Sequence, residues 1–262
     1  MLKVADDPNG SPKALERLLE RDPAMSAKIL KVANSAYYGH SHIPSVGRAI
    51  SVLGINTIRS LVTAVGFQQM VGAKSAAPSL NKLNFWRHSL GTATAARILG
   101  KLRLPLKAEE LFSAGLMHDI GILVMERFMP AELEQVLKRM NEDFREMHEI
   151  EQEMLGFTHA EVGAMLAEKW NLTPVLSNAI HYHHNVMEDE VHQETTAIVA
   201  AANVIAQQCT FSTAPMRGRK PEFDFLSAQL IDMPEDQLEV IRNVLIQEVN
   251  RAQEAFNLSN AA

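Results

Sequence analysis

The sequence is poor in several residue types, and each shortage excludes something. A single cysteine, Cys209, stands in 262 residues, so neither an internal disulfide nor a cysteine-based zinc site can be built. Aromatic residues make up 6% of the chain while methionines number 13, so a core must rest on Leu, Ile, Val, Met and Ala. No apolar run approaches the roughly 18–20 residues that a membrane-spanning helix needs. The opening "MLKVADDPNG" lacks the apolar stretch of a secretory signal. Basic residues are outnumbered, 25 Lys and Arg against 31 Asp and Glu, for a net charge of −6. That balance argues against a nucleic-acid-binding surface, which carries a basic excess or stripe. The expectation is a cytoplasmic bacterial protein with no membrane and no nucleic-acid partner. A small anionic ligand stays open, because a few local charges or a metal ion can overrule the global sign.

What is present is helix. With 47% hydrophobic and 21% charged residues, the composition suits a globular chain with a real core. Ser11-Pro12 and Asp22-Pro23 each pair a capping side chain with a first-turn proline. Ser45 opens a short helix with Val46, Ala49, Ile50 and Leu53 inward, and Gly54 ends it. Ile58, Leu61, Val62 and Val65 mark the next. "GAKSAAPS", residues 72–79, is small and polar and reads as a linker. Helical periods then predict segments near 81–101, 107–118, 122–129, 131–140, 142–155, 158–170, 174–184 and 194–208. "STAPMRGRKPEF" breaks the pattern, and a closing helix near 235–256 carries Leu238, Ile241, Leu245, Val249, Ala252 and Phe256 on one face. No stretch alternates with period two and no heptad is sustained, so the fold is expected to be all-α and globular.

The ten histidines are unevenly placed. His88 shares a face with Thr92, Ala95 and Leu99 and is expected to point inward. His118 and Asp119 interrupt the apolar "AGLMHDIGIL" where Gly121 lets the chain turn. His159 follows Thr158 in a capping box with Glu161, which puts it in the first turn of its helix. His183 and His184 close "PVLSNAIHYHH". Helix ends can converge on one point, and imidazole is the commonest neutral metal ligand. His88, His118, Asp119, His159, His183 and His184 would together suit one or two first-row divalent ions such as iron, manganese, zinc or nickel. Two ions ~4 Å apart could activate a water and hold a phosphoryl group. Against this, a single inward histidine is more often a hydrogen-bonded core residue than a ligand. Adjacent residues also point ~100° apart on a helix, so His118 and Asp119 reach one ion only at a kink or a fraying end. His40 and His42 read as loop, His148 and His192 as surface, and Arg217, Arg219 and Lys220 as a solvated loop.

The order of motifs carries more. "RDPAMSAKILKVANSAYYG", "IPSVGRAISVLGINTIRSLV", "FWRHS", "AGLMHDIG" and "THAEVGAMLAEKWNLTPVLSNAIHYHH" together resemble the HDOD domain family of bacterial signalling proteins over about residues 11–208. That family is similar to the HD and HD-GYP metal-dependent phosphohydrolases and is held to be a degenerate relative. The resemblance implies an HDOD domain over 1–208, with an N-terminal helical half (1–75) and an HD-like half (80–208), followed by a loop and helical extension over 209–262. It implies that the six residues named above occupy the positions of metal ligands in an active relative. It also marks departures: Ile122 stands where active HD-GYP enzymes carry lysine, Asn203 where a later helix carries a carboxylate, and Asn84 where a glutamate precedes the first histidine. The Gly-Tyr-Pro segment is replaced by acidic "NVMEDEVHQE". The family begins with a further helix, which the chain either lacks or keeps as a remnant in residues 1–8.

Two readings follow. One is a regulatory binding module with a metal-holding HD-like site and a protein partner in a signalling pathway. The other is a metal-dependent phosphohydrolase acting on a nucleotide or cyclic dinucleotide, with Asp119 as its catalytic residue bridging the ions. The retained ligand-type residues favour the second, and Ile122 and Asn203 favour the first.

Overall fold

A computed structural model describes residues 11–35, 38–39, 42–72, 74–143, 145–211 and 221–256, with the backbone alone at position 141. Among them the fold is all-α. The first helices begin where their caps dictate. The Ser11 hydroxyl accepts from the Ala14 amide at 3.2 Å ahead of α1 (Pro12–Glu20), and the Asp22 carboxylate from Met25 at 2.9 Å ahead of α2 (Pro23–Ala33). Ser45 caps α3 (Val46–Leu53) in the same way. Gly54, at φ +84°, both ends α3 and starts α4 (Ile55–Val71), a backbone setting that favours glycine. Asn34 at the end of α2 exchanges hydrogen bonds with both backbone groups of Ile43, which ties Ile43 to the end of α2.

The expected linker is a held segment. Ala77 is buried, the Ala76 amide donates to Glu126 at 2.9 Å, and the Ser79 amide and hydroxyl both donate to Glu134. Small, polar residues gave the right backbone freedom but said nothing of the carboxylates across from them.

The central element is α5 (Lys82–Arg103), buried along most of its length and packed chiefly against α6 (Ala108–Met117) and α12 (Gln193–Gln208). Between these last two run α7 (Ile120–Phe128), α8 (Pro130–Asp143), α9 (Met147–Leu155), α10 (His159–Lys169) and α11 (Pro174–Tyr182). The boundary expected between helices ending at 140 and starting at 142 falls later, with α8 reaching Asp143 and α9 starting at Met147. An Arg139–Asp143 pair extends the last turn of α8, and Glu146 is extended at ψ 146°. The apolar stripe runs through this break without a glycine or proline, so periodicity alone misplaced it.

Two further helices, α13 (Phe225–Ile231) and α14 (Glu235–Ala255), follow residue 221. α14 lies on α5, burying Leu238, Ile241, Leu245, Val249 and Ala252, and Phe256 meets Trp86 edge-on at 5.3 Å. Residues 1–8 and Arg217, Arg219 and Lys220 lie outside the described residues.

Close helix approaches set up the histidine positions. A Cβ on Gly115 would come within 2.9 Å of the Thr92 carbonyl, so only glycine lets α6 sit this near α5. A Cβ on Gly121 would overlap the His159 carbonyl, so α7 presses directly on the start of α10.

Candidate metal centre

Four helix ends and the first half of α5 deliver the expected residues to one place. His88 projects from α5. His118 and Asp119 form the turn between α6 and α7, which is the kink two adjacent side chains need to face a common point. His159 is the first residue of α10, held by a capping box between Thr158 and Glu161. His183 and His184 follow the last turn of α11. His88, His118, Asp119, His159 and His183 are buried, and His184 is half-buried.

Asp119 lies between two groups. Its Oδ2 is 3.3 Å from the Nε2 atoms of both His88 and His118. Its Oδ1 is 3.2 Å from His159 Nε2 and 3.5 Å from His183 Nε2, while His184 Nε2 lies 3.1 Å from His159 Nε2. Asp119, His88 and His118 therefore form one potential ligand set, and Asp119, His159, His183 and His184 a second that shares the carboxylate.

The other ring nitrogens decide which atoms are available. His118 Nδ1 donates to the Gly115 carbonyl at 2.8 Å and His183 Nδ1 to that of Ile180 at 2.9 Å, each histidine closing an orphan carbonyl of the helix it follows. His88 Nδ1 donates to the Phe211 carbonyl at 2.8 Å, and His159 Nδ1 to Glu151 at 2.6 Å. Carbonyl oxygens only accept, so the protons of His88, His118 and His183 sit on Nδ1 and their Nε2 lone pairs point inward. His88 Nε2 and His118 Nε2 face each other at 3.2 Å, and His183 Nε2 is buried with no hydrogen-bond partner. Converging lone pairs in a buried site are unfavourable unless a cation lies among them, and the residues present fit one.

Electrostatics support that fit at His183 and His184, whereas His159 would have to give up a proton to an ion. Burial opposes ionisation of Asp119, yet His118, His159 and His183 hold its carboxyl well below the usual carboxylate range. Burial likewise opposes a charge on His159, but Glu151 and Asp119 outweigh it and push its pKa up to about 10. His183 is pushed down to about 4, first by burial and then by the neighbouring histidines despite Asp119. Burial and His183 hold His184 well below the usual histidine range. His183 and His184 are thus the neutral imidazoles that ligation requires.

Three residues were missed or misplaced by sequence reasoning. Glu151 is fully buried on α9 and accepts from both the amide and Nδ1 of His159. Its neighbours in "EIEQEM" are charged and solvent-compatible, so only the phase of Ile150 hinted that position 151 turns inward. His148, expected on the surface, is half-buried, and its ring stacks on His184 at 4.1 Å. His192, also expected on the surface, is half-buried at the start of α12, where its amide donates to Asp189. In both cases flanking charges marked the segment as exposed while the local helix turned one residue in. His42 is exposed as expected, and His40 lies outside the described residues.

The departures also have places. Ile122 is 1% exposed and packed in the main core. Asn203, on α12, is buried with its Oδ1 unpartnered, beside His183 and His184 in a cleft of about 410 Å³. Asn84 is exposed in the first turn of α5.

A model of the HDOD domain matches residues 1–186, most of the chain. The chain belongs to the HDOD family. This HDOD chain is 27% identical to an HDOD domain protein of unknown function from Geobacter sulfurreducens, whose crystal structure it matches with a TM-score of 0.77 over 96% of this chain and 89% of that one. It is 26% identical to a protein from Shewanella amazonensis SB2B provisionally named a phosphohydrolase, with a TM-score of 0.74 over 98% and 90%. It is also 26% identical over 206 residues to an uncharacterized protein of Treponema pallidum (strain Nichols), covering 77% of this chain and 39% of that protein. The HDOD chain thus spans well under half the length of that curated relative. Among the described residues, no helix is long and apolar enough to cross a membrane.

Proposed function

We propose that this HDOD chain is a regulatory binding module in a signalling pathway, that its HD-like site holds one or two divalent ions, and that it performs little or no hydrolysis. The observation that carries the metal is the commitment of Nδ1 in His88, His118, His159 and His183 to protein acceptors, which leaves their Nε2 atoms grouped around Asp119. His88, His118 and Asp119 would hold one ion, and Asp119, His159, His183 and His184 the other. A bound ion supplies Lewis acidity and offsets the buried carboxylate. Iron, manganese, zinc and nickel all suit imidazole with a carboxylate.

The reading of weak or absent turnover is supported by what surrounds the ligands. The cleft beside His183 and His184 is lined by Glu146, Glu222 and Asp224, and among the described residues by no lysine or arginine. A phosphoester brings negative charge, and nothing described there offsets it. Ile122 and Asn203 remove a cation and an anion from the positions of an active relative.

The phosphohydrolase reading keeps one observation of its own, the placement of Asp119 between two ligand sets. A single experiment separates the two. Untagged protein is analysed for bound metal and then assayed on a generic phosphodiester and on cyclic dinucleotides with Mn²⁺ or Fe²⁺. Metal near stoichiometric occupancy without turnover is expected. Metal-dependent turnover that vanishes in Asp119→Ala would replace the module by the enzyme, and protein that binds no metal would return the cluster to a hydrogen-bonded core.

A further inference from the structure

A second cavity, of about 970 Å³, lies away from the histidine cluster and shares none of its residues. Its walls come from α2, the end of α4, the held segment after it, the start of α5 and the end of α14. Four lysines line it, Lys28, Lys31, Lys74 and Lys82, and among the described residues no aspartate or glutamate does. In a chain of net charge −6 that is a marked local reversal. Lys82 is neutralised by a buried pairing with Glu126. Lys28, Lys31 and Lys74 are exposed and have no ion-pair partner among the described residues, so about three positive charges face the cavity uncompensated.

Lys28 and Lys31 stand three apart on α2, a spacing that puts both ammonium groups on one side. The N-terminus of the 22-residue α5 opens into the same space and adds the partial positive charge of its first amides. The lining also has an apolar part, with Val32, Leu80, Trp86 and Phe256. The wall carrying Lys74 is fixed in advance by the hydrogen bonds of Ala76 and Ser79 to Glu126 and Glu134. Size, charge and an apolar floor together match a small-molecule site more closely than a protein-docking groove.

We infer that this cavity binds a nucleoside phosphate, with its phosphates on Lys28, Lys31 and Lys74 and its base over the apolar floor. The site is independent of the metal centre and gives the module a place to read a soluble anionic signal.

The test is calorimetric titration of the full chain with ADP, pyrophosphate and adenosine, each to about 1 mM. ADP is expected to bind, to weaken as salt screens the lysines, and to bind more tightly than either fragment. Lys28→Ala/Lys31→Ala removes two exposed side chains at good helical positions and is expected to weaken ADP about tenfold or more while His118→Ala leaves it unchanged. Lys28→Arg/Lys31→Arg is expected to restore binding. Absence of ADP binding would overturn the inference, as would equal affinity in the double alanine variant. Pyrophosphate binding as tightly as ADP would overturn the nucleoside assignment. ADP binding lost in His118→Ala alone would move the ligand to the metal centre.

Discussion

At the scale of single residues, Ile122 bears on turnover and Glu151 on metal holding, so the two can be tested separately. Ile122 is sealed in the core, so a lysine placed there would have no route to a phosphate. Ile122→Lys is expected to destabilise the fold by about 3–5 kcal/mol, the scale of an uncompensated buried charge, and to create no hydrolysis. A urea titration at neutral pH reads the first, and unchanged stability would show that the side chain escapes to solvent. Glu151 acts on the cluster through His159, whose Nδ1 and amide it receives. Glu151→Gln keeps the shape and weakens the acceptor. Metal retention in competition with a chelator is expected to fall 10–100-fold, the usual cost of losing a group that orients a ligand. Retention within a factor of two would make Glu151 a packing residue only.

At the scale of elements, the site depends on how closely its helices approach and how their ends are tied. Gly121→Ala would drive a methyl into the His159 carbonyl and within 2.8 Å of the Gly163 amide. Backbone cannot move aside as a side chain does, so about 3 kcal/mol of destabilisation is expected, at the upper end for overpacking, together with easier loss of metal. The segment after His184 is tied by Asp189, which accepts from Asn178, Thr196 and the amides of Val191 and His192. Burial works against its charge, but these bonds lower its pKa below the usual aspartate value. A lowered folded-state pKa contributes stability that is full above the unfolded value near 3.9 and is lost as pH falls through the folded one. Asp189→Asn is therefore expected to cost stability at pH 7, with the gap to the parent chain closing below about pH 4. A gap that stays constant in acid would mean that the carboxylate charge plays no part. These element ends were also the legible part of the sequence. Ser11-Pro12, Asp22-Pro23, Thr158 and Gly54 announce their boundaries through local hydrogen bonds and φ preferences, and the structure uses each of them. The break before Met147 and the inward turn of Glu151 were not legible, because they depend on contacts that the helical pattern does not encode. For the same reason, sequence reasoning could name His88, His118, His159, His183 and His184 but not which ring nitrogen each would present.

At the scale of the whole molecule, the helices after residue 221 share the core of the rest. α14 buries Leu238, Ile241, Leu245 and Val249 against the bundle, and Phe256 closes on Trp86 while its carbonyl accepts from Gln68 at 2.9 Å. Each such large apolar side chain contributes about 1.5–3 kcal/mol when buried, and a typical domain keeps only about 5–15 kcal/mol in total. Removing five of them would consume most or all of that margin. A chain truncated after Phe211 keeps every candidate ligand and the carbonyl that holds His88. It nevertheless loses the cover of α5 and one wall of the lysine cavity. Such a truncation is expected to be insoluble or to unfold without a cooperative transition, with dye-binding apolar surface exposed. A soluble truncation that melts cooperatively near the temperature of the full chain would instead show that residues 221–256 are an appended unit. In that case the boundary expected near residue 208 would mark a true domain edge.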